Sequence, residues 1–358
     1  MSIALVTGGG GLVGSEAVEF LSRQGLNVVG IENDMRASYF GAEASVAWRV
    51  GELERSRQGF RCLSLDIRDR DGIDRLVKDL GQDLSLVVHA AAQPSHDWAA
   101  SDPATDFAVN AGGTQNLLEA VRHHAPEAAF VYLSTNKLYG DTPNRLPLVE
   151  RETRWEVADD HPFAAHGIDE SMSIDQTTHS LFGVSKLAAD LMVQEYGRYF
   201  GMNTVCLRCG CLTGGAHAGA EQHGFLSYLM RCTLSGKPYV VHGYKGKQVR
   251  DNLHVGDLMQ AIWAYAEKPA PAKVYNMGGG CGASCSILEA IALSEQIAGR
   301  NLAWRYSDEN RVGDHIWWIS DTGRFRADYP TFSVTRDVEW TLNEIRDTAG
   351  RRWSSEGR

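Results

Sequence analysis

The sequence lacks the features of membrane, secreted and nucleic-acid-binding proteins. None of its apolar runs reaches the roughly 18 residues of a membrane-spanning helix. We expect no leader peptide either, because the first residues, MSIALVTGGG, already read as a strand and a turn. A formal net charge of −10 argues against unspecific binding to nucleic acid or anionic membranes. We therefore expect a cytoplasmic protein with no membrane or nucleic-acid partner.

The sequence also lacks the spacing of a metal site. Its seven cysteines show no repeated C-x-x-C pattern, and its 12 histidines are scattered. An odd number of cysteines without ligand spacing is typical of reduced thiols in a cytosolic protein, so no metal is predicted. With 43% hydrophobic and 22% charged residues, the chain has the composition of an ordinary globular protein, and it is long enough for two lobes.

Short apolar runs alternate with helix-like stretches through the first third of the chain. The runs are IALVTG, NVVGIE, FRCLSLDI, LSLVVHAAA and AAFVYLST. Because unbroken apolar strands separated by helices are buried on both faces, we predict an α/β fold with a Rossmann-type doubly wound parallel sheet. We assign residues 1–205 to the domain of this sheet, with a returning segment near 248–275. Residues 206–358 are expected to form mostly a smaller C-terminal α/β lobe that binds the substrate.

A glycine-rich stretch, GGGGLVG, lies between the first predicted strand and the first predicted helix. Its spacing permits a tight turn, a close approach of the backbone to a pyrophosphate, and tight packing of the helix on the strand. The helix N-terminus adds N–H donors and the positive end of its dipole. We therefore predict a dinucleotide site whose first residues are Gly8, Gly11, Leu12, Val13 and Gly14.

Glu32 ends the second predicted strand, where a carboxylate can bind the hydroxyls of a ribose. It would repel a 2′-phosphate, so NAD is favoured over NADP, although Arg36 weakens this preference. An acid and an apolar residue after the third strand can flank an adenine, and small residues after the fourth let a dinucleotide approach the backbone. The further cofactor candidates are Asn33, Asp66, Ile67, Ala90, Ala91, Ala92, Gln93 and Asn110. Asn110 can equally brace the central strands of the sheet.

These motifs together resemble the extended short-chain dehydrogenase/reductase family of NAD-dependent epimerases and dehydratases. The motifs, which run from residue 2 to about 325, are TGGGGLVG, DIRD, HAAAQ, N-x-x-G-T, STNKLYGD, a ring-x-x-x-K pair and RDNLHVGD. The stretches GIDESMSIDQTTHSLFGVSK, QEYGRYFGMNT and GYKGKQVRDNLHVGD look most like the family's CDP-paratose (tyvelose) 2-epimerases. The resemblance implies an epimerase that oxidises a nucleotide-diphosphate sugar to a keto-sugar and returns the hydride. It favours a CDP-sugar and a homodimer formed through the helix after Lys186.

The catalytic residues of the family are a tyrosine, a lysine four residues later, and a Ser/Thr at a strand end. The resemblance places Lys186 at the nicotinamide ribose and Ser134 and Thr135 at the strand end, but Phe182 occupies the tyrosine position. A phenyl ring cannot exchange a proton.

Another base can replace the phenol, with Lys186 as the first candidate because a desolvated ammonium can have a depressed pKa. The other candidates are Lys137, Tyr139, His179, Cys209 and Cys211. Two alternatives stay open: a non-catalytic protein that binds NAD and nucleotide sugar, and a shifted alignment with a different ring.

The pair Asn136-Lys137 bears on the reaction, because related 4,6-dehydratases have Asp-Glu at this place. Without a carboxylate there, dehydration is not expected, and epimerisation through a keto intermediate remains. The resemblance implies carbon 2, and another nucleotide-sugar epimerase or an oxidoreductase acting at carbon 4 is the alternative.

Candidate substrate residues come from both predicted lobes. In an extended stretch Gln248 and Arg250 point the same way, so both can face a diphosphate, which arginine binds bidentately. The resemblance places a nucleotide-gripping loop before residue 226 and a diphosphate-binding Arg-x-Gly-Asp late in the chain. The full set is Gln93, Ser95, His179, Gln222, His223, Gly224, Phe225, Gln248, Arg250, Arg311 and Asp314.

Overall fold

The computed structural model describes residues 2–215, 224–310 and 313–353. The strands are β1 (Ile3–Thr7), β2 (Asn27–Glu32), β3 (Phe60–Ser64), β4 (Leu84–His89), β5 (Ala129–Thr135), β6 (Leu148–Glu150), β7 (Trp155–Val157), β8 (Thr204–Cys209), β9 (Cys211–Thr213), β10 (Tyr239–His242), β11 (Val249–His254), β12 (Lys273–Met277), β13 (Ser284–Ser286), β14 (Trp304–Ser307) and β15 (Trp317–Trp318). The helices are α1 (Leu12–Arg23), α2 (Met35–Phe40), α3 (Ala47–Ser56), α4 (Arg70–Leu80), α5 (His96–Ser101), α6 (Pro103–Phe107), α7 (Gly113–His124), α8 (Leu181–Phe200), α9 (Phe225–Ser235), α10 (Val255–Glu267), α11 (Ile287–Ala298), α12 (Gly323–Asp328) and α13 (Val338–Trp353).

The largest sheet has seven strands in the order β12-β8-β5-β4-β1-β2-β3. β1 is parallel to both β2 and β4, β2 is parallel to β3, and β4 is parallel to β5. The chain therefore winds one way from β1 to β3 and the other way from β4 to β5. In such a sheet the carboxyl ends of β1 and β4 flank the place where ligands bind. This confirms the predicted α/β fold with a Rossmann-type doubly wound sheet.

The apolar runs become strands because their side chains are buried by helices. α4 packs against α7, α7 packs against α8, and α1 packs against α3. Leu5, Val87 and Phe130 of the sheet share one core with Leu117 of α7 and Val193 of α8, and all five side chains are fully buried. Each such side chain contributes roughly 1.5–3 kcal/mol through burial. This core fixes the strand ends at which the candidate residues lie.

The described residues divide into two compact units. The first contains the residues up to Leu138, together with His179–Arg208 and Met259–Tyr275, and the second contains Tyr139–Thr178, Cys209–Leu258 and the residues from Asn276 onward. Residues 139–178 thus belong to the second unit, whereas the boundary drawn from the sequence put them in the first domain. The reason is pairing with that unit's backbone: Trp155 N donates to Lys247 O (2.9 Å), and Ile168 N donates to Ile319 O (2.7 Å).

The second unit is itself built from helices and strands. β11 pairs with β13, β15 and β9, and β10 pairs with β14. α9, α11 and α13 pack around a core that includes Leu229, Ile291 and Leu342. Within the described ranges, no helix combines the length and apolar character of a membrane span.

Candidate active site

Backbone groups lie very close together in the glycine turn between β1 and α1. Gly8 has φ +69°, its N–H donates to Ile31 O at 2.9 Å, and Gly11 N donates to Gly8 O at 3.0 Å. A Cβ added at Gly14 would stand 2.0 Å from Gly8 O, and one at Gly8 would stand 3.0 Å from Ala91 Cα. Positions 8 and 14 therefore require glycine, and α1 begins directly against the carboxyl ends of β1 and β4.

The N-terminus of α1 can bind an anion. Gly11 is the N-cap residue and has no side chain that could cap the helix. The first N–H groups of a helix lack acceptors within it, and the helix dipole places partial positive charge there. Leu12, Val13 and Gly14 form this first turn, so the predicted phosphate-binding residues lie together.

Glu32, at the end of β2, accepts hydrogen bonds from three backbone N–H groups. They belong to Gly10 (3.3 Å) and to Asn33 and Asp34 (2.9 Å each), so the carboxylate joins the glycine turn to the loop after β2. Burial lowers the pKa of Arg36 although the charges of Glu32 and Asp34 act to raise it. A carboxylate can accept hydrogen bonds only, and in this position it suits hydroxyl donors and repels a phosphate.

Asp66 and Ile67 follow β3 and close the other side of this region. The Asp66 carboxylate binds Asn33 Nδ2 (2.9 Å) and Arg68 Nη2 (2.7 Å). Burial alone would raise the pKa of Asp66, but the hydrogen bonds from Arg68 outweigh it and hold the pKa below its ordinary value. Ile67 covers Gly113, where an added Cβ would stand 2.5 Å from Ile67 Cδ1. Asp66 is thus an ionised acceptor beside an apolar side chain.

The small residues Ala90–Ala92 lie just beyond β4. Ala91 N donates to Thr7 Oγ1 at 2.9 Å, and the same hydroxyl contacts His89 Nδ1 at 2.7 Å. Burial, and secondarily the charge of Lys186, lowers the pKa of His89 to about 3. This imidazole is therefore neutral near pH 7, held inside the sheet, and unsuited to carry a proton.

Asn110 joins the chain after β4 to α8. It lies in a π-helical turn, Ala108–Gly112, between α6 and α7, and is 1% exposed. Its Oδ1 accepts from Gln93 N (2.9 Å), and its Nδ2 donates to Gln93 O (3.1 Å) and Ser185 Oγ (3.0 Å). π-helical turns are common at functional sites.

The two hydroxyls at the end of β5 have different surroundings. Ser134 Oγ donates to Asp190 Oδ2 at 2.6 Å, and Asp190 also binds Arg208 Nη2 at 2.8 Å in a buried ion pair. Thr135 is half-buried, and its Oγ1 accepts from Lys137 N at 3.2 Å. Ser134 is thus held by the interior of the first unit, and Thr135 is the better placed of the two to contact a ligand.

Phe182 and Lys186 lie one turn apart on α8 and share a face of that helix. Ser180 caps the helix by accepting from Gly183 N (3.1 Å), and a Cβ at Gly183 would stand 3.0 Å from Lys137 O, so α8 starts against the end of β5. Phe182 is 8% exposed and Lys186 is 4% exposed.

The contacts of Lys186 favour its charged form. Its Nζ donates to Leu133 O at 2.8 Å and lies 4.3 Å from the centre of the Tyr132 ring. A carbonyl acceptor and an aromatic face both stabilise an ammonium. This arrangement suits a fixed positive charge better than a group that accepts a proton.

Two of the other base candidates are buried in the second unit. The Tyr139 hydroxyl donates to Asn276 Oδ1 at 2.9 Å, and its ring stacks on Trp318; Cys209 is 3% exposed. The remaining candidates, Lys137, His179 and Cys211, are half-buried. None of the seven cysteines, all of which lie in the described ranges, forms a disulfide. Among the residues that the structure describes, no three His, Cys, Asp or Glu side chains form a metal-ligand group.

Gln248 and Arg250, both in β11 of the second unit, are buried. Gln248 Nε2 donates to His242 O at 2.9 Å, and Gln248 Oε1 has no hydrogen-bond partner among the described residues. Arg250 Nη1 donates to Val249 O at 2.8 Å, and its Nη2 lies 3.5 Å from Asp314 Oδ1. A guanidinium held in this way keeps further N–H donors that an anionic ligand can accept.

The nucleotide-gripping loop is described only in part. Gly224, with φ +78°, precedes Phe225, the first residue of α9. Gln222, His223 and Arg311 lie outside the described residues.

One histidine that the sequence did not single out lies against Phe182. The ring centres of His96, at the start of α5, and Phe182 are 4.9 Å apart, and their planes are inclined by 57°. The two residues are far apart in the sequence, and no motif spacing connects them. They meet because α5, which follows β4, packs against α8.

The chain matches the model of the NAD dependent epimerase/dehydratase family over residues 4–278. CDP-paratose 2-epimerase from Salmonella typhi is 32% identical to it over 345 residues, which cover 94% of each protein. A dTDP-glucose 4,6-dehydratase from Neisseria meningitidis serogroup B is 26% identical, over 95% of this chain and 93% of its own.

A similar fold occurs in UDP-glucuronic acid 4-epimerase from Bacillus cereus, solved in complex with UDP-glucuronic acid and NAD. The two structures superpose with a TM-score of 0.75 at 23% identity, over 98% of this chain and 99% of that one. A likeness at this identity supports the fold.

Proposed function

The chain belongs to the NAD dependent epimerase/dehydratase family, and from this premise we propose that it epimerises a nucleotide-diphosphate sugar by transient oxidation to a keto-sugar. A CDP-sugar is the favoured substrate and carbon 2 the favoured centre. The observation that carries the proposal is the 32% identity with a CDP-paratose 2-epimerase across nearly the whole of both chains. The dehydratase relative is 26% identical, and Asn136-Lys137 provides no acid for eliminating water.

The first unit fits NAD. The glycines at positions 8 and 14 let α1 start close to β1 and to the chain after β4, and the N–H groups of Leu12 and Val13 at the start of α1 can bind a pyrophosphate. We assign the adenosine ribose to Glu32, with Asn33 and Arg36 beside it, and the adenine to Asp66 and Ile67. The remaining proposed contacts are Ala90, Ala91, Ala92, Gln93, Ser134 and Lys186. When bound, NAD supplies a reversible hydride acceptor for the sugar carbon.

The reacting part of the sugar is proposed to lie beside Thr135. Its Oγ1 can hydrogen-bond the hydroxyl that becomes the keto oxygen, while Phe182 supplies an apolar wall and Lys186 a fixed positive charge. Asn136 and Lys137 continue the same turn after β5. Fixed dipoles and charges of this kind stabilise charge that develops on the reacting oxygen.

The nucleotide-diphosphate is assigned first to Arg250 and Gln248 of the second unit. Arg250 can bind a phosphate with the N–H groups that Val249 and Asp314 do not use, and Gln248 Oε1 can accept a hydroxyl or amino hydrogen. The other proposed contacts are Ser95, His179, Gln222, His223, Gly224, Phe225, Arg311 and Asp314. Seven cysteines without a disulfide favour a reducing, cytoplasmic compartment.

The experiment that tests this proposal is an assay with CDP-, GDP-, UDP- and ADP-sugars. The purified protein with NAD is mixed with each sugar, and the near-ultraviolet absorbance of reduced nicotinamide and the sugar products are followed. We expect a transient absorbance and an epimer with at least one CDP-sugar. Binding of sugars without absorbance change or product would instead support the alternative, a non-catalytic protein that binds NAD and nucleotide sugar.

We also propose a homodimer formed through α8. Leu181, Val184 and Leu191 are 48%, 42% and 41% exposed and lie on one face of the helix, as expected of a surface that a partner covers.

Leu191→Glu should weaken dimerisation by about 100-fold or more, since it places an unpaired charge in an apolar interface. Sedimentation velocity measures this, with Trp48→Glu, which replaces an exposed apolar side chain outside α8 by an acid, as the control. A Leu191→Glu protein that sediments like the wild type would contradict the interface.

A further inference from the structure

We infer that His96 is the group that exchanges the proton of the sugar hydroxyl in place of the phenol missing at position 182. The inference rests on the proposed function, because it assigns a catalytic residue to that reaction. Its first support is the contact between the imidazole and the Phe182 ring, with centres 4.9 Å apart. The imidazole thus lies beside the place on α8 where the reaction needs a base.

The backbone before His96 is held by a buried amide. Gln93 is 0% exposed; its Oε1 accepts from Ser95 N, and its Nε2 donates to Ser95 O at 2.9 Å. Ser95 in turn caps α5, with its Oγ accepting from Trp98 N at 3.1 Å. Both backbone groups of the residue before His96 are therefore fixed, which limits the positions that the imidazole can take.

The same amide is joined to the helix that carries Phe182. Gln93 Nε2 donates to Asp106 Oδ1 (2.7 Å), which also accepts from Asn110 Nδ2 (3.0 Å). Asn110 Nδ2 donates further to Ser185 Oγ (3.0 Å), and Ser185 Oγ donates to Phe182 O (3.1 Å). A continuous buried network thus sets the start of α5 relative to the start of α8. Breaking a buried hydrogen-bond network costs free energy, so such a network holds its members in one arrangement. Two residues that act together in catalysis need a fixed arrangement of this kind.

Two other basic groups of the first unit, Lys186 and His89, suit the role less well. Lys186 Nζ already donates to Leu133 O and lies over the Tyr132 ring, and His89 is buried inside the sheet between Thr7 and Thr114. An imidazole whose ordinary pKa is near 6.5 can both accept and return a proton near neutral pH. His96 is a half-buried imidazole placed against the ring at position 182.

The step balances as follows. A ring nitrogen of His96 takes the hydroxyl proton as the C–H hydrogen leaves with its electron pair to the bound NAD, and the carbon–oxygen bond becomes a carbonyl. After the keto-sugar presents its other face, the hydride returns to carbon, and the imidazolium gives the proton back to oxygen. Neither the protein nor the cofactor changes overall, as an epimerisation requires.

The test compares His96→Asn and His96→Ala with the wild type, using the nucleotide sugar that the wild type epimerises. We expect turnover to fall by about 100-fold or more, while the affinities for NAD and sugar, measured by calorimetry, change by no more than about threefold. His123→Asn, an exposed histidine on α7, is the matched control and should behave like the wild type.

Rescue separates catalysis from a structural effect. Added imidazole should raise the turnover of His96→Ala in proportion to its concentration, and Phe182→Tyr should restore activity to His96→Asn by supplying the phenol. A readout independent of turnover is the His96 ring signal in heteronuclear NMR, which should shift on addition of nucleotide sugar while that of His123 does not.

Two results would overturn the inference. Turnover of His96→Asn within about threefold of an active wild type would show that another group moves the proton. Loss of turnover without rescue by imidazole or by Phe182→Tyr would show a structural role for His96. A wild type that binds nucleotide sugars but converts none would refute the proposed function, and the inference with it.

Discussion

Gly14→Ala is expected to deprive the protein of its cofactor. An alanine Cβ would stand 2.0 Å from Gly8 O and 2.7 Å from Gly8 C, and a clash between two stretches of backbone cannot be relieved by rotating a side chain. α1 must therefore shift away from the glycine turn, which separates the N–H groups of its first turn from the pyrophosphate. We expect NAD affinity to fall by about 100-fold or more, equivalent to roughly 3 kcal/mol, and unfolding to occur at lower temperature.

The measurement is NAD released from the denatured protein together with calorimetric titration of the stripped protein. Gly51→Ala is the matched control, because Gly51 lies in α3 with no atom within 4 Å of an added Cβ. This control should keep its NAD and gain up to about 1 kcal/mol of stability from helix propensity. Wild-type NAD content in Gly14→Ala would contradict the placement of the pyrophosphate at the start of α1.

Lys186→Met should lower turnover strongly while leaving the fold intact. Methionine has nearly the length of lysine and fills the same buried space, and replacing a buried charge by an apolar side chain is often tolerated. The lost ammonium is the positive charge proposed to face the ribose and the reacting oxygen. We expect turnover to fall by about 1,000-fold and NAD to bind more weakly, with little change in the unfolding temperature.

The control for this change is Lys78→Met, which removes an exposed lysine from the last turn of α4. Steady-state kinetics, NAD titration and thermal unfolding should all match the wild type. If Lys186→Met turned over at the wild-type rate, Lys186 would be neither a base nor a ribose anchor. If it failed to fold, the ammonium and its contact with Leu133 O would be structural.

The parts of the fold that could be predicted are those that depend on short, local stretches of sequence. The strand–turn–helix around Gly8 and Gly14 is set by local sterics, and Glu32 ends β2 where the apolar run ends. A doubly wound sheet follows from alternating buried strands and helices, because few topologies satisfy that alternation. These features required no knowledge of which distant residues meet.

The parts that could not be predicted depend on contacts between distant residues. Nothing in "STNK" shows that Ser134 is held by the buried pair of Asp190 and Arg208, which leaves Thr135 as the accessible hydroxyl. Likewise, Phe182 reads as a missing base until the packing of α5 on α8 places His96 beside it. Contacts of this kind between distant residues depend on tertiary packing, which the spacing of motifs does not show.

The central claim is that the chain inverts a sugar carbon by removing and returning the same hydrogen as a hydride. The most direct test is to run the reaction in heavy water with the nucleotide sugar that the protein converts, and to locate deuterium in the product by NMR. We predict an epimer with no solvent deuterium at the inverted carbon. Deuterium at that carbon would show that the C–H hydrogen leaves as a proton, and would contradict the account.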